Sequence, residues 1–217
     1  MKHVFVETNW VVAYAAPEHQ RLPAALSLAQ RAADGELRLY LPSVCLTEAR
    51  YPIRSKFHPR LAADPVRAYL KWAVASGRAQ SDDVMIVRRV LDQYERTVAA
   101  ELRDLDERLQ SLLTQPGIEV FALRSQMLDR AVELANKDLD LKPFDQAILA
   151  AILVRAEELR DEGANDISFC ELDRDLQPWD KDGRTKHPLA ALYDLAHIWV
   201  YGDFALENPP KPSTFPE

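Results

Sequence analysis

The sequence predicts an α/β protein, specifically an α/β/α sandwich around a mostly parallel sheet of four to five strands. Two observations support this prediction. Short apolar runs typical of strands alternate with helical stretches along most of the chain. The 217 residues, 47% of them hydrophobic, are enough to build one large core. We therefore expect a single domain over residues 1–205 and a loose, proline-rich tail over residues 206–217.

Five strand candidates follow one another along the chain. They are HVFVE at 3–7, LRLYLP at 37–42, IEVFAL at 118–123, DISFCEL at 166–172 and HIWVYG at 197–202. A helical stretch of about twenty residues, rich in Ala, Leu and Gln, separates the first two. A helix capped by Ser43 should follow the second strand, and further helices are expected near residues 124–137 and 143–162. Such alternation with short connections is typical of a parallel sheet.

Residues 60 to 115 interrupt this alternation, because they contain no strand candidate. Apolar residues recur there at three- and four-residue intervals from Val87 to Leu112, which predicts one long helix. Packed against a shorter helix around residues 62–76, it would form a helical hairpin inserted into the α/β body. Two other interpretations stay open: the stripe is buried on its own domain, or it is the seam of a homodimer.

The charge balance disfavours a protein that binds nucleic acid through its overall charge. The net charge is −7 at pH 7, which repels phosphate. The charge is unevenly distributed, however. Residues 50–96 contain ten Lys and Arg against five Asp and Glu, so this segment is +5 and the rest of the chain is −12. This distribution is compatible with a basic surface beside an acidic site.

Cysteine usage and hydropathy indicate a cytoplasmic protein. Cys45 and Cys170 lie far apart and form no CxxC pair, which argues against a disulfide framework and against a zinc site. The first apolar stretch is short and is broken by Glu7 and Asn9, so we expect no signal peptide. No apolar run has the length that a bilayer requires, and we expect no membrane partner.

Acidic residues from separate segments should meet at one edge of the sheet. Glu7 ends the first strand candidate, and Glu48 lies one turn into the helix after the second. Asp145 lies in the first turn of an alanine-rich helix, while Asp173 and Asp175 follow the strand DISFCEL. The carboxyl ends of parallel strands gather along the edge where such folds bind ligands.

Each of these acids has an ordinary structural explanation when it is taken alone. Glu7 could end a strand at the surface, Glu48 could pair with an arginine, and Asp145 could stabilise a helix dipole. Together, like charges crowded at one edge repel each other and require a cation. Oxygen ligands without histidine or cysteine favour Mg²⁺ or Mn²⁺ over zinc.

The order of these acids resembles the PIN domain, a family of metal-dependent nucleases that includes the toxins of many bacterial toxin-antitoxin pairs. Where that family has Asp-Thr-Asn at the end of a strand, this chain has Glu7, Thr8 and Asn9. Three further features match: a glutamate on a following helix, an aspartate opening an alanine-rich helix, and a strand leading into Asp-x-Asp. They are Glu48, Asp145, and Asp173 with Asp175. The resemblance covers residues 3–58 and 116–202.

The chain departs from the family pattern in three places. Glu7 replaces the usual aspartate and moves the carboxylate outward by one methylene, which either relocates a metal by about an ångström or abolishes activity. Glu-Leu at 171–172 replaces the usual Thr-Asn pair before the last aspartate. The insertion at 60–115 is longer than in the smallest members, which indicates a subfamily.

The resemblance implies a metal-dependent endoribonuclease that hydrolyses phosphodiester bonds in RNA, with single-stranded DNA a less favoured substrate. It implies that four acids bind Mg²⁺ or Mn²⁺, and that Glu48 acts in catalysis together with three of them, namely Glu7, Asp145 and Asp173. The four are Glu7, Asp145, Asp173 and Asp175. Thr8 and Asn9 would steady the first ligand. The family's toxins also suggest an antitoxin protein as a partner.

Substrate contact should come from basic residues, because an acidic pocket without its metal repels phosphate. Arg50 and Arg54 lie one turn apart beyond Glu48 and are the best placed, followed by Lys56.

Two other functions stay open at this stage. One is a catalytically weak or inactive PIN-like module that binds RNA or protein, with Glu7 marking a decayed site. The other is a metal-dependent phosphatase acting on small molecules, although the first strand has no Asp-x-Asp nucleophile. Assays with Mn²⁺ on RNA, on single-stranded DNA and on a small phosphate ester separate the three.

Overall fold

A computed structural model of the chain describes residues 1–137 and 139–207. Five strands form one sheet: β1 (Lys2–Phe5), β2 (Leu37–Pro42), β3 (Ile118–Phe121), β4 (Ile167–Cys170) and β5 (Ile198–Tyr201). The order across the sheet is β3-β2-β1-β4-β5, and every pairing in it is parallel. The predicted α/β/α sandwich is confirmed, with all five of the described strands parallel.

Helices fill the connections between the strands. Within the described residues they are α1 (Thr8–Ala15), α2 (Pro23–Ala33), α3 (Ser43–Lys56), α4 (Pro59–Ala75), α5 (Ser81–Arg103), α6 (Leu105–Ser111), α7 (Ser125–Ala135), α8 (Pro143–Asp161) and α9 (His187–Ala196). Right-handed crossovers put the helices between β1 and β3 on one face of the sheet and α7 to α9 on the other. In this described part of the chain, no helix combines the length and hydropathy needed to cross a bilayer.

The connection between β1 and β2 differs from the single helix predicted there. It contains two helices, because α1 ends at Ala15 and α2 begins at Pro23. Pro17 follows the end of α1, because proline lacks the N–H that the interior of a helix needs. Pro23 is the first residue of α2, where that N–H is not needed. The prediction for Ser43 was also wrong: Ser43 is the first residue of α3, and Pro42 occupies the cap position.

The predicted helical hairpin is formed by α4 and α5, but the long helix predicted to run to Leu112 is divided. Arg67 of α4 lies 2.7 Å from Asp92 and 2.5 Å from Glu95 of α5, which ties the two helices together. α5 ends at Arg103 and α6 begins at Leu105. Beyond this break the apolar stripe is buried in the main core of the domain. The homodimer seam stays a prediction.

The centre of the sheet contains a topological switch point. The chain proceeds outward from β1 to β2 and β3, then returns across the sheet to β4 and continues to β5 on the other side. β1 and β4 are therefore neighbours whose following loops lead in opposite directions. Open parallel sheets bind ligands at the carboxyl ends of the strands at such a point.

Candidate functional site

Glu7 lies directly beyond β1 and caps the first turn of α1. Its Oε1 accepts a hydrogen bond of 2.7 Å from the backbone N–H of Asn9. The residue is only 3% exposed. Burial raises the pKa of Glu7 to about 8, although the Asn9 N–H acts to lower it. Three neighbouring carboxylates raise it further: those of Glu48, Asp173 and Asp145. Several of the predicted acids therefore lie close enough to repel Glu7.

Glu48 lies on α3, where that helix packs against α1. The hydroxyl of Thr8 donates a hydrogen bond to Glu48 Oε2, so Thr8 orients Glu48 while the Asn9 backbone orients Glu7. Burial raises the pKa of Glu48, the Thr8 hydroxyl lowers it, and Asp145 and Asp173 raise it again. This half-buried carboxylate therefore feels the same group of acids as Glu7.

Asp145 is the third residue of α8, directly after Pro143 and Phe144 in the first turn. Its Oδ2 atom is buried and accepts no hydrogen bond from the described residues. Burial and the neighbouring Asp173 raise the pKa of Asp145, while the side chain of Lys142 lowers it. An unpartnered oxygen at a helix N-terminus is available to a cation or a donor from outside the chain.

Asp173 and Asp175 lie in the tight loop after β4. Asp173 Oδ1 accepts a hydrogen bond of 2.9 Å from the N–H of Asp175, which fixes the turn. Asp175 lies at the rim, with its Oδ2 3.8 Å from Lys142 Nζ. The Lys142 side chain is 77% exposed, so solvent weakens this pairing.

Glu171 is a site residue that the sequence analysis missed. It comes directly after β4 and is 0% exposed. Its Oε1 accepts a hydrogen bond from the N–H of Asp173, and its Oε2 is buried without a hydrogen-bond partner among the described residues. Burial raises the pKa of Glu171 well above its usual value, and the neighbouring Glu7 raises it further.

We use the term acidic edge for six residues: Glu7, Glu48, Asp145, Glu171, Asp173 and Asp175. All are carboxylates, which suits a hard cation such as Mg²⁺ or Mn²⁺. Two of their oxygens, on Asp145 and Glu171, are buried without partners. As the side chains stand, however, no group of three or more His, Cys, Asp and Glu residues within 1–137 and 139–207 is arranged to hold a metal ion. The chemistry of the donors nevertheless fits a cation.

The two predicted substrate-binding arginines lie on α3 beyond the acidic edge. Arg50 and Arg54 both pair with Asp106 of α6, each at 3.1 Å. Their side chains are about half exposed, so these ion pairs are weak. The amino group of Lys56 lies 5.5 Å from the centre of the Phe57 ring.

Two lysines that the sequence analysis missed lie nearer to the acids. One is Lys142, beside Asp175, and the other is Lys186, whose Nζ donates a hydrogen bond to the carbonyl of Arg174. Lys186 and Asp175 also line a cleft of about 360 Å³ whose apolar wall includes Leu139 and Leu189. This cleft adjoins the acidic edge at Asp175.

Comparisons of the chain with protein-family models, with curated proteins and with solved structures found no match. The function is therefore argued from the geometry and chemistry of the site and from the residue pattern of the sequence.

Proposed function

We propose that this protein is a metal-dependent endoribonuclease of the PIN type, which hydrolyses phosphodiester bonds in RNA. One observation carries the proposal: carboxylates from four separate segments converge at the carboxyl edge of the sheet, beside the switch point between β1 and β4. Their pKa values are raised by burial and by one another. Such a cluster is unfavourable in the isolated chain and becomes favourable when a cation binds.

In this proposal Glu7, Asp145 and Asp173 bind Mg²⁺ or Mn²⁺, with Asp175 at the rim. When bound, the cation supplies positive charge that stabilises the attacking and leaving oxygens of the phosphodiester. The Asn9 N–H keeps Glu7 in position, because it occupies one oxygen and leaves the other available.

Glu48 has a different part in the proposal. Its half-buried carboxylate lies among the proposed metal ligands Asp145 and Asp173, which suits a group that takes a proton from the attacking water. The Thr8 hydroxyl orients Glu48 for this purpose through its hydrogen bond to Oε2. Phosphate is then attracted by basic side chains around the acids: Lys142, Lys186, Arg50 and Arg54.

The test compares cleavage by the wild type with cleavage by Asp145→Asn, using mixed RNA and single-stranded DNA with Mn²⁺ and with EDTA. Wild-type protein should cleave RNA only with the metal, and Asp145→Asn should cleave at least about 100-fold more slowly while its circular dichroism is unchanged. Asp166→Asn is the matched control, because Asp166 precedes β4 at the opposite edge and pairs only weakly with Lys2 at 3.6 Å. Wild-type rates in Asp145→Asn would contradict the assignment.

The second candidate is a catalytically inactive PIN-like module that binds RNA or protein. One observation favours it: Glu7 stands where the family pattern has aspartate. This module would retain RNA in a gel-shift assay but hydrolyse neither RNA, single-stranded DNA nor a small phosphate ester. Hydrolysis of the small ester alone would instead indicate a phosphatase.

A further inference from the structure

We propose that Glu171 is a direct ligand of the divalent cation, so that the ion is held between the two glutamates that follow β1 and β4. This inference rests on the proposed metal-dependent function and deepens it. The residue pattern of the PIN family assigns no ligand to this position, where Glu171 replaces a threonine.

The register of the sheet makes the two glutamates neighbours. β1 and β4 are adjacent and parallel, and Phe5 pairs with Phe169. Glu7 and Glu171 each follow their phenylalanine by two residues, and residues two apart in extended chain share a face. Hydrogen bonds continue past both strands, from Val6 N–H to Tyr40 and from Glu171 N–H to Tyr201. The two carboxylates therefore leave the sheet side by side, on strands about 4.8 Å apart.

The hydrogen bonds around Glu171 do not account for its charge. The loop after β4 is held without the Glu171 carboxylate. Gln177 Nε2 donates to the backbone carbonyl of Glu171 at 2.8 Å, and the Tyr193 hydroxyl donates to the backbone carbonyl of Leu176 at 2.8 Å. The Asp173 N–H needs only one neutral oxygen, which glutamine would supply equally well. The Asn9 side chain also approaches the Glu171 carboxylate and acts to lower its pKa. Oε2 is nevertheless buried without a hydrogen-bond partner among the described residues, and it costs free energy unless something binds it.

In this proposal Glu171 compensates for the longer side chain of Glu7. This chain departs from the family pattern at Glu7 and at Glu171. These residues follow β1 and β4, which are adjacent strands at the switch point. A longer side chain at Glu7 alone would displace the cation from the remaining acids. A second glutamate beside it supplies a new oxygen ligand on the same side, and carboxylate oxygens are the ligands that Mg²⁺ and Mn²⁺ prefer.

The test measures Mn²⁺ binding to the full chain by isothermal titration calorimetry and by electron paramagnetic resonance. Glu171→Gln should weaken Mn²⁺ affinity by about 100-fold. It should also raise the melting temperature of the metal-free protein, because it removes a carboxyl group whose charged form is disfavoured by burial and by Glu7, and abolish most of the rise caused by Mn²⁺. Glu36→Gln is the matched control: Glu36 precedes β2 at the opposite edge, and its side chain is 59% exposed.

The outcomes separate this inference from the proposed function. Unchanged Mn²⁺ affinity in Glu171→Gln, together with lost affinity in Asp145→Asn, would overturn the role of Glu171 and leave the metal site intact. Absence of Mn²⁺ binding to the wild type would overturn both. Glu171→Asp, which keeps the charge but shortens the side chain, provides the same test if the glutamine variant does not fold. It too should bind Mn²⁺ more weakly, and unchanged affinity would count against the inference.

Discussion

Two groups of carboxylates in this molecule differ in how their charge is neutralised. On one face of the sheet, Arg155 of α8 lies 3.1 Å from Glu119, 3.3 Å from Glu158 and 3.0 Å from Glu162. We call these four residues the Arg155 cluster. The acidic edge gathers more carboxylates and buries two of them more deeply, yet within the described chain no arginine forms an ion pair with Glu7 or Glu171.

The contrast shows that the chain neutralises the carboxylates of the Arg155 cluster with an arginine side chain of its own. The Arg155 side chain is 14% exposed, and its guanidinium has five donors in a rigid plane that reach all three acids. Arg38 and Arg124 add a second ion pair to Glu119 and to Glu158. At the acidic edge the amines of Lys142 and Lys186 lie beside Asp175, and the Lys142 side chain is 77% exposed. The acidic edge is therefore better explained as a site for a cation from outside than as an internal ion-pair network.

The largest expected difference between the two groups is in pH dependence, measured without metal. The ordinary pKa of Glu7 is 4.5 and its pKa in the folded chain is about 8. Between these values the folded chain keeps a proton that the unfolded chain has released, so the free energy of unfolding falls as pH rises. The fall is about 1.4 kcal/mol per pH unit for each such proton. Glu171, Glu48 and Asp145 act in the same direction, because their pKa values are raised too.

Urea unfolding at pH 5, 6, 7 and 8 with EDTA measures this dependence. His3 acts in the opposite direction, since burial lowers its pKa, and stability from His3 rises with pH. Glu7→Gln keeps His3 but removes the titrating group of Glu7. The difference between the two proteins in how the free energy of unfolding changes with pH therefore gives the contribution of Glu7. The variant should show a flatter profile than the wild type and a higher free energy of unfolding at pH 8. Parallel profiles in the two proteins would rule out this account of Glu7.

The next largest effect should come from removing the arginine of the Arg155 cluster. Arg155→Met keeps much of the apolar stem but removes the cation that the three carboxylates share. Glu119 and Glu158 keep their pairs with Arg38 and Arg124, whereas Glu162 loses its Arg155 partner. We expect the free energy of unfolding to fall by about 2 kcal/mol, less than for a fully buried pair because the acids are partly exposed. Arg124→Met is the control, since Arg124 pairs with Glu158 alone and is 54% exposed. Equal losses in the two variants, measured by urea unfolding, would show that Arg155 does not neutralise the cluster.

A smaller effect is expected from Thr8→Val, which removes the donor to Glu48 without changing the shape of the side chain. The free energy of unfolding should fall by about 1 kcal/mol, because one hydrogen bond to a carboxylate is lost. The rate of manganese-dependent cleavage should fall even under conditions where the variant is fully folded, since Glu48 loses its orientation. Thr47→Val, one residue before Glu48 and exposed, should change neither quantity. A Thr8→Val variant with full activity would remove Thr8 from the site.

The sheet and most helices could be predicted because hydrophobic periodicity is a local property of the chain. The predicted acids Glu7, Glu48, Asp145 and Asp173 could be grouped because the ends of parallel strands share an edge. The division between α1 and α2 could have been predicted from Pro17 and Pro23, which the sequence displays directly.

Glu171 could not be assigned in the same way, because its importance depends on which strands are neighbours. Only the pairing of β1 with β4, and the register of Phe5 against Phe169, puts Glu171 beside Glu7. The sequence does contain a signal, namely a glutamate directly after the apolar run of a buried strand. Lys142 and Lys186 gave no such signal, since exposed lysines are common and their approach to Asp175 depends on loop conformation.

The smallest effect on stability, and the sharpest test of the basic surroundings, should come from the arginines of α3. Arg50→Gln with Arg54→Gln should change the free energy of unfolding by less than about 1 kcal/mol, because their pairs with Asp106 are exposed. If each arginine contacts a phosphate, the slope of log affinity for single-stranded RNA against log salt should decrease in magnitude by about 0.7 per arginine. Binding is measured by fluorescence anisotropy in the Asp145→Asn background with EDTA, because cleavage is expected only when the metal is present. Lys142→Gln is the comparison, because that amine is already at the acidic edge. A salt slope that changes with Lys142 but not with the arginines would move the path of the RNA away from α3 and toward the cleft beside Asp175.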